Sequence, residues 1–207
     1  MTTVSEIQQR RRRRSDADRS AAAVLDAAVR VLGQRPAASV EEIAAAAGVS
    51  RQTAYAHYPS RQALLAAVLD RITAETVAAL DAADLDSGTA TEALLRWLDA
   101  SWQAFDRYPL LLDASITAGE AEESARQHAP IADRFRRLVA RGRRTGEFDR
   151  TLSPAWLVTA TIALGHAAGA EVSAGRMTSA QAHRALRESI LRLYGATEST
   201  AASSRRR

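Results

Sequence analysis

SVEEIAAAAGVSRQTAYAHYPSR, residues 39–61, reads as two short helices joined by a glycine turn. Ser39 can accept from the unpaired N–H groups of the following turn, and Glu42, three residues on, can reach back to complete a capping box ahead of Ile43. Ile43, Ala44 and Ala47 recur at helical spacing. Gly48 supplies a positive φ to end this helix, Val49 plugs the angle, and Ser50 caps the second helix. A turn of about four residues between two capped helices is the helix-turn-helix pattern.

The second helix carries a chemistry that helix stability does not require. Ala54 is the small residue expected to face inward, whereas Arg51, Gln52, Thr53, Tyr55 and His57 present guanidinium, amide, hydroxyl and imidazole groups elsewhere on its surface. A guanidinium bridges O6 and N7 of guanine, an amide bridges N6 and N7 of adenine, and a threonine methyl meets that of thymine. Backbone N–H groups at the Ser50 end, with Ser39, Tyr58 and Arg61, can hold phosphates and fix register. The other reading is a capped hairpin with a solvated polar face.

The chain has 207 residues, enough for one substantial domain or two small ones sharing a helix. Alanine-rich stretches at helical period dominate, so the expected fold is all-α. No cysteine is present, which excludes a disulfide framework and a thiolate metal site. No apolar run reads as a signal peptide or membrane span, since Pro154–Ala170 is interrupted by Thr159, Thr161 and His166. A cytoplasmic protein is expected. All 28 basic residues other than histidine are arginine, and the first 60 residues hold nine arginines against six acids. Positive charge thus gathers at the helix-turn-helix end and in the tail Arg205–Arg207.

Residues 1–16 are expected to form a flexible arm, because Arg10 to Arg14 repel one another in any compact arrangement. Such an arm either lies along DNA or is an inert solvated tail. Beyond the helix-turn-helix, Ser60 opens a fourth helix, and Asp81–Thr89 is a linker. Ala90–Arg107 is a helix whose Leu94, Trp97, Leu98, Trp102 and Phe105 share a broad face. Pro109 opens a short helix to Leu112. Glu120–Arg144 is a longer helix, with Pro130 as a kink or boundary. Ser153 and Pro154 open the next helix, and Thr178 caps the last, which closes at Gly195. About nine helices result.

From about residue 17 to 75 the chain resembles the N-terminal domain of the TetR/AcrR family of bacterial transcriptional regulators. The likeness rests on the first helix with Val24, Leu25, Ala28, Val31 and Leu32 closed by Gly33, then the residue 39–61 run, then a fourth helix with Leu64, Leu65, Val68 and Leu69. It implies phosphate-holding roles for Ser39, Ser50, Tyr58 and Arg61, and base-reading roles for Arg51, Gln52, Thr53, Tyr55 and His57. Ala54, Ala56 and Arg61 depart from the family's usual branched or aromatic residue, long polar residue and lysine. Residues 17–77 would be the DNA-binding domain, 78–196 an effector-binding and dimerisation domain, and 197–207 a flexible tail.

The resemblance implies a homodimer that binds double-stranded operator DNA and is released by a small effector. The last two helices would build the interface through Gly165, Ala168, Gly169, Leu186, Ile190 and Leu193; otherwise they complete the core of one chain. Trp97, Trp102, Phe105, Leu111 and Phe135 either fill the core or wall a pocket for an apolar or weakly polar effector, with Thr159, Thr161 or His166 bonding to it. His57, His128, His166 and His183 lack metal-ligand spacing, and no phosphate loop, nucleophile elbow or paired carboxylates occur. No cofactor, metal or catalytic residue is expected. The alternatives are a constitutive DNA-binding dimer without effector and a helical enzyme carrying this N-terminus.

Overall fold

The computed structural model describes the backbone of residues 4–112 and 121–196; the expected tail, 197–207, lies outside the described residues. Eight α-helices and one 3-10 turn are found among them, with no strand. They are α1 (Val4–Gln34), α2 (Val40–Ala46), α3 (Arg51–His57), α4 (Arg61–Ala82), α5 (Ala90–Arg107), the 3-10 turn Pro109–Leu112, α6 (Ala121–Thr145), α7 (Pro154–Ser173) and α8 (Ser179–Tyr194). The all-α expectation is met. Two compact units divide within α4, between Ile72 and Thr73, earlier than the expected boundary at 77.

In the N-terminal unit, α1 is longer than expected. It is helical from Val4 and takes in the arginine run that the charge argument assigned to a flexible arm. Arginine and glutamine are good helix formers, and this propensity acts against the like-charge repulsion along the run. Arg19 pairs with Asp16 on the next turns at 3.0 Å. Gly33 does not close α1, which runs to Gln34 and stops before Pro36. Val24, Ala27, Ala28 and Leu32 of α1 are buried, as are Val40, Ile43 and Ala44 of α2, Ala54 of α3, and Leu64 and Val68 of α4. The Arg71 guanidinium donates to the Asp26 carboxylate at 2.5 Å, joining α4 to α1.

The C-terminal unit is built around aromatic rings. Trp97, Phe135, Phe148 and Tyr194 are buried with Leu94, Leu98, Leu138, Val139, Leu157 and Ile190. Trp97 and Phe135 stack with centroids 4.1 Å apart, and Phe148 meets Tyr194 edge-on at 5.0 Å. A fully buried leucine or phenylalanine contributes about 1.5–3 kcal/mol, against about 0–1 kcal/mol for an exposed ion pair. Ring and aliphatic packing therefore holds this unit, more than its surface arginines do. Two of those arginines also hold the expected linker, Arg96 of α5 by donating to the carbonyls of Ala83, Asp84 and Ser87 and Arg141 by donating to those of Asp86 and Thr89. Pro130 neither begins nor ends a helix, for α6 passes through it. The Arg134 side chain donates to the Pro130 carbonyl at 3.0 Å.

Candidate nucleic-acid interface

Local hydrogen bonds fix the two short helices. Ser39 Oγ accepts from the Glu42 amide at 3.2 Å, and the Glu42 carboxylate accepts from the Ser39 amide at 2.8 Å. The Ser39 amide is the leading reason that the Glu42 carboxyl titrates below its ordinary range, with Arg35 reinforcing it at 2.6 Å. Gly48 has φ of +70°, which an L side chain rarely adopts, and the Val49 amide donates to the Ala44 carbonyl at 3.1 Å. Ser50 Oγ then accepts from the Thr53 amide at 3.0 Å and starts α3. Both caps and the turn lie where the residue pattern placed them.

One face of α3 is anchored and the rest is open. Ala54 is fully buried, Arg51 and Gln52 are exposed, and Thr53, Tyr55 and His57 are partly so. All five expected base-reading residues thus share this short helix and retain solvent-facing surface. The phosphate-holding set is more constrained. Tyr58 donates its hydroxyl proton to the Ala21 carbonyl at 3.2 Å, and burial raises its pKa. Arg61 Nη2 donates to the Pro36 carbonyl at 2.5 Å and its Nε to that of Ala38 at 3.4 Å. These bonds tie α4 to the α1–α2 loop and leave Arg61 Nη1 for an outside partner. The Ser39 and Ser50 hydroxyls serve as helix caps.

Glu41 escaped the sequence reading. It lies on α2, and its carboxylate accepts from the Tyr55 hydroxyl at 3.1 Å and pairs with Arg51 Nη2 at 3.0 Å. The Arg51 guanidinium carbon sits 5.4 Å from the Tyr55 ring centre. The Glu41 carboxyl titrates below its ordinary range, first through its own backbone amide and then through Tyr55. The readable signal was an acid in the first helix of the motif beside a basic and a phenolic residue in the second.

Comparison with known proteins agrees with this architecture. Residues 24–68 match the family described as bacterial regulatory proteins, tetR family. The chain is 39% identical over 95 residues to the HTH-type transcriptional repressor LfrR of Mycolicibacterium smegmatis, a match spanning 46% of this chain and 49% of that protein. Residues 24–68 are thus a tetR-family segment. It is also 42% identical over 65 residues to the HTH-type transcriptional regulator EthR of Mycobacterium tuberculosis, 30% of each. The chain thus spans about half the length, or less, of these two curated relatives. The crystal structure of LfrR from Mycobacterium smegmatis in complex with proflavine superposes with a TM-score of 0.65 at 29% identity, covering 84% of this chain and 94% of that one.

The residues expected to wall an effector pocket do not behave alike. Trp97, Trp102 and Phe135 are buried in the core, and Thr161 is buried with its hydroxyl bonded to the Leu157 carbonyl at 2.8 Å. Phe105 and Leu111 are half-buried, while Thr159 and His166 are exposed. Phe105 meets Trp102 and His166 edge-on, each at 5.9 Å. A cavity of about 410 Å³ in the C-terminal unit is lined instead by Leu80, Asp81, Arg134, Arg137, Leu138 and Arg141, among others, and by none of the eight expected residues.

The expected dimer residues divide too. Leu186 and Ile190 are 6% and 0% exposed within a single chain, so they are core residues and offer nothing to a partner. Their helical spacing fits an inward face as well as an outward one. Gly165 and Gly169 are buried, while Ala168 and Leu193 are half-buried. The open face of α7 carries Trp156, Thr159, Ala163, His166, Ala167 and Ala170, with Trp156 56% exposed. Among the described residues, no helix is long and apolar enough to cross a membrane, and no group of three or more metal-ligating side chains occurs.

Proposed function

We propose that the chain is a homodimeric, sequence-specific transcriptional repressor whose α3 reads operator bases in the major groove of double-stranded DNA. The observation that carries this reading is the short capped α3, anchored by Ala54 and presenting Arg51, Gln52, Thr53, Tyr55 and His57 to solvent. Arg51 and Gln52 serve guanine and adenine edges, Thr53, Tyr55 and His57 complete the reading face, and Ser39, Ser50, Tyr58 and Arg61 position the phosphates. The repressor description of LfrR supports the sign of regulation. Operator DNA places the protein in the cytoplasm, and no catalytic role is needed.

Dimerisation proceeds through the open face of α7, where the Trp156 ring, 56% exposed, stands with the small side chains of Ala163, Ala167 and Ala170. Two copies of α3 then meet successive major grooves about 34–36 Å apart. The effector is a small apolar or weakly polar molecule, and the planar aromatic shape of the proflavine held by LfrR, though not its positive charge, supports recognition by aromatic contact. It enters where Phe105 and His166 open the aromatic cluster to solvent. A second reading, a repressor without effector, draws support from the stacking of Trp97 on Phe135 in the core.

Selection of duplexes from a randomised library by the purified protein tests the main reading. The expected product is a near-palindrome with half-sites one helical turn apart, and recovery of unrelated sequences contradicts it. Proflavine titrated onto the free protein, without DNA because a planar acridine intercalates into duplexes, separates the two effector readings: saturable binding near Phe105 and His166 supports an aromatic effector, and no binding supports a repressor without one.

A further inference from the structure

Glu41 presents a physical puzzle. Its side chain is only half-buried beside the face that, on the reading above, meets a polyanion, where a negative charge weakens binding to any DNA. An exposed ion pair stabilises a fold very little, so stability is a poor account of its placement. Its geometry offers a better one. One carboxylate oxygen engages both Arg51 Nη2 at 3.0 Å and the Tyr55 hydroxyl at 3.1 Å, while the guanidinium lies 5.4 Å from the centre of the Tyr55 ring. Arginine is long and rotamer-rich, and without a partner it samples many directions; ordering it at the moment of binding costs affinity for the correct sequence. A guanidinium already held at Nη2 has its other N–H edges free for a base. A Tyr55 ring held through its hydroxyl cannot swing away from beneath it.

We propose that Glu41 is a specificity-determining positioning residue, which holds Arg51 and Tyr55 in one base-reading arrangement across the gap between α2 and α3. The proposal rests on the assignment of base reading to α3. It places in the first helix of the motif a residue that need not touch DNA yet sets how well the second helix discriminates. The same carboxylate repels phosphates whatever the sequence, which weakens binding to selected and random DNA alike and cancels in their ratio.

Glu41 also lies in the first turn of α2, where an acid stabilises the helix through its dipole, so charge and reach must be separated. Glu41→Gln removes the charge and keeps the length; Glu41→Asp keeps the charge and falls one methylene short of Arg51 and Tyr55. Affinities are measured for a duplex selected from a randomised library by the wild-type protein and for a random duplex of equal length. Thermal unfolding of each variant confirms that it is folded. Both substitutions are expected to lower the selected-to-random affinity ratio by roughly tenfold, the discrimination of one good base contact. In an Arg51→Ala, Tyr55→Phe background neither is expected to change the ratio by more than about twofold.

A ratio lowered by Gln alone makes Glu41 a simple charge effect and overturns the proposal. So does a wild-type ratio in both variants, or a loss that persists undiminished in the double-substituted background. A library that yields no preferred sequence overturns base reading by α3 and the proposal with it. A preferred sequence that both variants discriminate normally overturns the proposal alone.

Discussion

Trp97 of α5 lies over Phe135 of α6 with ring centroids 4.1 Å apart and planes inclined by 26°, and both side chains are buried. The pair decides whether these aromatics fill a core or wall a cavity. Removing a ring that fills a core leaves a void, and Phe135→Ala is expected to cost about 3–5 kcal/mol in denaturant unfolding. A cost below about 1 kcal/mol marks the site as open already, which favours the pocket role.

The buried hydroxyls of Tyr194 and Thr161 lie 3.1 Å apart and join α8 to α7. Thr161 donates to the Leu157 carbonyl, so Tyr194 donates to Thr161. Removing the acceptor strands a buried donor, whereas removing the donor does not. Thr161→Val is expected to cost about 1–3 kcal/mol and Tyr194→Phe about 1 kcal/mol or less. Equal costs by calorimetry contradict this direction of donation.

Glu147 gives the C-terminal unit an acid-sensitive contact. Burial raises its pKa, but the amides at Ala90 and Thr91, with Thr145, more than offset this, and the carboxyl titrates below its ordinary range. The Thr91 amide donates to it at 3.0 Å at the start of α5. A depressed carboxylate stabilises the fold above its unfolded pKa, and that contribution is lost as pH falls through the folded pKa. Glu147→Gln is expected to lower stability by about 1–2 kcal/mol at pH 7, with the difference from wild type vanishing below the folded pKa. A difference that is constant with pH contradicts the assignment.

Trp156 and Ile190 separate interface from core. Trp156→Arg is expected to give a folded monomer by light scattering and circular dichroism, because its ring is exposed in one chain. Ile190→Arg buries an unpaired charge and is expected to lose the fold itself. A Trp156→Arg protein that remains dimeric removes the open face of α7 from the interface.

What the sequence disclosed follows from range. Ser39, Ser50, Ser153 and Thr178 each accept from the amide three residues on, and each cap is present where the residues implied it. Gly48 was legible for the same reason. Leu186 and Ile190 were misplaced because helical spacing defines a face but not what the face meets. The arginine run was misread because like-charge repulsion was weighed above helix propensity, and α1 includes it. Glu41 was overlooked because its partners, Arg51 and Tyr55, lie ten and fourteen residues away, and only the turn at Gly48 brings them together.

Base reading by α3 is the central claim, and Arg51 tests it most directly. Wild type and Arg51→Ala are titrated against the selected duplex and a random duplex at two salt concentrations. Arg51→Ala is expected to cost about 1–3 kcal/mol on the selected duplex and little on the random one, with the salt dependence nearly unchanged. Equal losses on both duplexes, accompanied by a salt slope flatter by about one unit, would make Arg51 a phosphate contact and contradict the claim that α3 reads sequence through it.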